Sequence, residues 1–113
     1  MKRIRVWADL DSTGLFEEIG RCLRHEETTI SLETWKSLQQ WVKEYNSIIR
    51  LSQAERFKAA DKIKGLDEEG LELLREIRSQ WQRDVKTGEE IQFLYYSEGL
   101  FRFLSIDGEI VIQ

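Results

Sequence analysis

Residues 30–51, ISLETWKSLQQWVKEYNSIIRL, carry the longest unbroken helical period in the chain. Trp35, Leu38, Val42, Tyr45 and Ile49 recur at spacings of three and four, which places five large side chains on one stripe of a helix. Leu32, Trp41, Ile48 and Leu51 widen that face beyond a narrow seam, as expected of a helix lying on a sheet or in a groove between elements. Such a face needs a partner surface, so the rest of the chain has to supply one. Ser31 is placed to cap the first turn, Glu33 to meet its positive end, and Ile30 and Trp35 to staple the entry.

Two further helices follow in series. The capping box Ser52-Gln53-Ala54-Glu55 predicts that the long helix stops near Arg50 and that a second begins at Gln53, with Ala54, Phe57, Ala60 and Ile63 facing inward. Gly65 reads as the stop of that second helix, because a glycine just past a helix end tolerates the left-handed conformation. Asp67 then reads as the N-cap of a third helix, stapled by Leu66 and Leu71 and loaded with Glu68, Glu69 and Glu72. Leu71, Leu74, Ile77 and Trp81 form its apolar stripe, with Leu73 beside it.

Strands are expected at both ends. Residues 2–8 alternate, with Ile4, Val6 and Ala8 on one face and Arg3, Arg5 and Trp7 on the other. The turn formers from Asp9 to Gly14 bend the chain. Residues 15–23 read as a strand or a bulged hairpin, with its turn at Glu17-Glu18 or Ile19-Gly20, and residues 24–29 as a polar connector. Residues 91–96, 100–106 and 109–112 are rich in aromatic and branched side chains and are separated by Ser97-Glu98-Gly99 and Asp107-Gly108. The Asp-Gly pair suits a type I′ turn, in which both central residues have positive φ. The expected fold is α+β in one domain, 1–113: a short N-terminal strand or hairpin, three consecutive helices, and a C-terminal three-stranded antiparallel meander, with the helices packed on one mixed or antiparallel sheet.

Charge and composition narrow the function classes. Twenty-one acids against 17 bases give a formal charge of −4, so there is no global basic field for a phosphate backbone and direct nucleic-acid binding is not expected. The single cysteine, Cys22, rules out an intramolecular disulfide framework and fits a reducing cytosol. The N-terminal apolar segment is interrupted by Arg5 and Asp9 and does not read as a signal peptide, and no run reaches the roughly 20 apolar residues of a membrane span. His25-Glu26-Glu27 reads as a solvated loop in preference to a metal site, and Cys22 with His25 lacks the orienting third group of a nucleophilic pair. No phosphate loop, H-E-x-x-H or C-x-x-C occurs, so neither catalytic residues, nor a metal, nor a cofactor is expected.

Residue chemistry alone does not give the function; the acids after the first strand read as turn solvation, as an acidic contact patch or as a carboxylate pair for acid–base work. Asp9, Asp11, Glu17 and Glu18 gather after the first strand as a candidate acidic patch. Tyr95 and Tyr96 must face opposite sides of their strand, which leaves an aromatic beside Glu98 suited to an interface. The segments VWADLDSTGLFEE, LQQWVKEYN and LDEEGLELLREI, the last followed by IQFLYYSEG, resemble in order and spacing a group of small bacterial cytosolic proteins, several of which look like immunity partners of secreted or contact-delivered toxins. The resemblance implies a cytoplasmic protein that binds and occludes a cognate, basic toxin domain, and it transfers no site residue. Under that expectation the partner-binding residues are Asp9, Asp11, Glu17, Glu18, Tyr96 and Glu98. A small-molecule-binding or enzymatic α+β domain and a homo-oligomeric subunit are the alternatives, with oligomeric state left open.

Overall fold

The computed structural model describes residues 2–18 and 21–111, apart from the side chain of Glu18. Five strands form one sheet in the order β3-β2-β1-β4-β5: β1 (Lys2–Trp7), β2 (Leu15–Glu18), β3 (Arg21–Cys22), β4 (Ile91–Ser97) and β5 (Arg102–Leu104). Between β3 and β4 the chain makes α1 (Leu32–Ile49), α2 (Gln53–Lys58) and α3 (Ala60–Gln80). The sheet is mixed, because β1 runs parallel to β4, with Val6 opposite Tyr95, while the other neighbours are antiparallel. The helices therefore form the crossover that a parallel pair requires.

The core lies between the sheet and the pair α1 and α3. Ile4, Val6, Leu15, Phe93, Tyr95 and Leu104 meet Leu38, Trp41, Tyr45, Ile48, Leu74 and Ile77 in one buried cluster. Alternation places Arg3, Arg5 and Trp7 on the opposite face, where Trp7 packs on Tyr96 with ring centroids 4.4 Å apart and Tyr96 packs on Phe103 at 4.8 Å.

The caps of α1 and α2 match their sequence signals. Ser31 accepts from the Thr34 N–H, and Ser52 and Glu55 close a reciprocal capping box. The buried line of α1 is rotated from the expected stripe: Thr34, Leu38, Trp41, Val42, Tyr45 and Ile48 are buried, Trp35 and Ile49 are half-buried, and Leu32 is exposed. Trp35 instead stacks at 5.0 Å on His25, which lies in a short 3₁₀ turn, so the polar connector has a structural role.

Three expectations are overturned. The second break in the helices falls at Ala59 and not at Gly65, which lies inside the 21-residue α3. A glycine inside a helix costs only about 1 kcal/mol, and the continuous buried line Ile63, Leu66, Asp67, Gly70, Leu74 and Ile77 outweighs it. Asp67 is consequently no cap. Phe57, Ala54 and Ala60 face solvent, because α3 already fills the core positions beside α1. Lastly, the third strand of the meander is reduced to a bridge between Leu104 and Ile110, and only Gly108 of the Asp107-Gly108 pair has positive φ, so the turn is not type I′. Ser105 closes that turn instead, its hydroxyl accepting from the N–H groups of Asp107 and Glu109. At the other end, β2 and β3 form the bulged hairpin with a register shift between Phe16 and Glu18, and the candidate turn residues Ile19 and Gly20 lie outside the described residues.

Candidate functional site

An acid buried on the core face of α3 requires donors, and the fold brings them from two elements, α1 and β4. The Asp67 side chain accepts from Tyr45 Oη of α1 at 2.8 Å and from Tyr95 Oη of β4 at 2.6 Å, both on Oδ1. Ser97 Oγ, at the end of β4, donates to Oδ2 at 2.7 Å. The hydroxyls are themselves held from the turn beyond β4: the Gly99 N–H donates to Tyr45 Oη at 2.9 Å and the Leu100 N–H to Ser97 Oγ at 3.0 Å. Every donor in this network is neutral, and Asp67 makes no ion pair among the described residues. Burial, and after it the negative charge of Asp67, pushes the Tyr45 and Tyr95 hydroxyls well above the usual tyrosine range.

Two glycines make the network possible. A Cβ on Gly70 would lie 2.3 Å from Tyr95 Cε1 and 2.7 Å from Trp41 Cζ2, so only glycine lets α3 approach β4 closely enough for the Tyr95 hydroxyl to reach Asp67. A Cβ on Gly99 would lie 2.2 Å from Ile63 Cγ2, and its omission brings the turn backbone onto the Tyr45 hydroxyl.

Asp67 also lines a groove of about 560 Å³ between α2, α3 and the β4–β5 turn, together with Phe57, Ala60, Ile63, Leu71, Leu100 and Phe101. Its rim is unusually apolar for a surface: Phe57 is 85% exposed, Phe101 61% and Leu100 54%. Phe101 has φ +54°, a left-handed conformation that L residues other than Asn and Asp rarely adopt, and it projects from the turn under this strain. Arg56, which also lines the groove, ties the turn to the junction of α1 and α2. Its guanidinium donates to the carbonyls of Glu98, Ile49 and Leu51 and lies 4.7 Å from the Phe101 ring centroid.

The residues expected to contact a partner fall into two groups. Because β1 and β4 are parallel, Asp9 and Asp11 after β1 and Glu98 after β4 lie at one end of the sheet, the end that carries the groove. Glu98 Oε1 accepts from Trp7 Nε1 at 2.5 Å, and Tyr96 is half-buried against Trp7. Asp9 turns back on its own loop, accepting from the Leu10 N–H, and Asp11 is exposed with φ +58°. Glu17, on antiparallel β2, lies toward the other end of the sheet, 3.6 Å from Lys2 Nζ. The Glu18 side chain lies outside the described residues. The groove residues Phe57, Asp67, Leu100 and Phe101 are absent from the set read from sequence. For Asp67 the missed signal was the unbroken period of Ile63, Leu66, Gly70, Leu74 and Ile77 around it, which the Gly65 stop obscured.

No group of three or more metal-ligating side chains occurs among the described residues, and no helix among them is long and apolar enough to cross a membrane. Comparison with protein-family models, with curated proteins and with solved structures finds no match to the chain.

Proposed function

We propose that the chain is a protein-binding module of the immunity type, which occludes a cognate, basic toxin domain and uses the groove between α2, α3 and the β4–β5 turn as the centre of its contact surface. The observation that supports this reading is the exposure of Phe57, Leu100 and Phe101 around one cavity. Covering one such side chain is worth about 1.5–3 kcal/mol, so a monomer keeps three together at a cost in solubility that a partner relieves. Aromatic anchors in a pocket are also the side chains that dominate measured interface energies. Asp9, Asp11 and Glu98, at the same end of the sheet, would steer a basic partner toward the groove, in keeping with the net charge of −4.

The test mixes the purified protein with basic toxin domains encoded beside its gene. Phe57→Asp and Phe101→Asp are expected to abolish the complex, while Asp11→Lys slows association. The Phe57 change should leave unfolding stability within about 0.5 kcal/mol, as is usual at an exposed position. If no such domain binds, or if both groove variants bind like the parent, the reading fails. A small-molecule site is the second reading, favoured by a groove volume inside the range of about 300–1,000 Å³ typical of ligand pockets.

A further inference from the structure

We infer that the groove receives an arginine or lysine side chain of the protein partner, carried between apolar neighbours, with the Asp67 carboxylate as its anchor. This rests on the protein-binding reading and names the chemistry at its centre. A carboxylate offers about four acceptor positions. Three are filled at Asp67, two on Oδ1 and one on Oδ2, so the open position belongs to Oδ2. The three donors are neutral hydroxyls, and the residue is only 7% exposed while lining the groove. A carboxylate in this setting gains more from a charged donor than from another neutral one, because charge-assisted hydrogen bonds are roughly twice as strong.

The two cations that line the groove do not fill this role. Arg56 is committed to three backbone carbonyls and to the Phe101 ring, and the exposed Lys64 makes no ion pair with Asp67. Glu68, beside Asp67 on α3, lines the groove as a second carboxylate. Phe57 at the rim supplies a ring face for a cation, and Phe101, on which Arg56 already lies, adds apolar surface for its stem and its neighbours. The groove is thus largely apolar, with one buried carboxylate, Asp67, in its lining, which matches a long basic side chain better than an aliphatic one.

The test titrates the isotope-labelled protein with two blocked tripeptides, acetyl-Leu-Arg-Leu-amide and its neutral analogue with citrulline in place of arginine, and follows the amide signals of Gly99, Leu100 and Phe101. The arginine peptide is expected to shift these signals and to bind at least about tenfold more tightly than the citrulline peptide. Asp67→Asn is expected to remove most of that preference. Equal affinity of the two peptides for the parent protein, or no shift with either, overturns the inference, and this comparison does not depend on whether the variant folds. Failure of this peptide comparison would leave the mixing experiment with toxin domains untouched, so the broader reading stands or falls there separately.

Discussion

Two buried aspartates in this protein are solvated in opposite ways. Asp84, in the loop between α3 and β4, accepts from Lys2 Nζ and from the backbone N–H groups of Lys86 and Thr87, the latter two at 2.8 Å. The Lys2 hydrogen bond, followed by the bond from the Thr87 backbone, holds its carboxyl well below the usual carboxylate range. Asp67 has hydroxyls alone among the described residues. The first arrangement is closed: charge meets charge, and the loop is tied to the first residue of β1. The second satisfies hydrogen bonding but leaves the carboxylate without an opposite charge among the described residues, in the lining of an apolar groove. The Asp84 carboxylate, matched internally, fastens the loop to β1, and on the inference above Asp67 keeps a position for a donor from outside.

The contrast can be broken first at Asp67. Asp67→Leu leaves three buried hydroxyls without their acceptor, and each orphaned group costs about 1–3 kcal/mol, so a loss of about 4 kcal/mol is expected in urea unfolding. A loss under 1 kcal/mol would mean that the network contributes little to the fold. Removing single donors gives a finer measure. Tyr95→Phe should cost about 1–2 kcal/mol, and Tyr45→Phe more, because it also strands the Gly99 N–H. Since the folded-state values of both tyrosines are raised, their contribution is fully present below the unfolded value of about 10 and is lost as pH rises above it. The parent should therefore lose stability on the alkaline side, and Tyr95→Phe should flatten that limb. Equal slopes in the two proteins would remove the argument.

Asp84 governs the other limb. Its folded-state value is depressed, so its contribution is present above the unfolded value of about 3.9 and disappears as pH falls toward the folded one. Asp84→Asn should start from a lower plateau and lose less between about pH 5 and pH 2 in thermal melts. A variant that follows the parent curve in parallel would show that another carboxylate controls acid unfolding. With the expected slopes in both variants, one aspartate shapes the alkaline edge through its tyrosines, and the other the acid edge directly.

Much of the architecture was legible in the chain, because local signals carried it. Ser31, the Ser52-Glu55 box and the alternation of residues 2–8 are read by their own neighbours, and the structure uses them as the sequence indicates. The failures share a cause. Gly65 and Asp67 look like a stop and a cap at short range, yet the packing of Ile63, Leu66, Gly70, Leu74 and Ile77 against α1 and β4 runs the helix through both. Phe57 looks like a core residue by its spacing and is the most exposed large apolar side chain described, since the core was already filled from elsewhere.

The sequence by itself determined the order of elements, most of their caps and the apolar faces that had to meet, since periodicity and capping act over a few residues. Tertiary structure alone decided that β1 and β4 lie side by side and parallel, which sets the acids after both strands at one end of the sheet. It also decided what Asp67 is. The same carboxylate that would cap a helix in water becomes part of the lining of a groove when residues 22, 28 and 30 positions away in the chain bring their hydroxyls to it, a juxtaposition that no local pattern encodes.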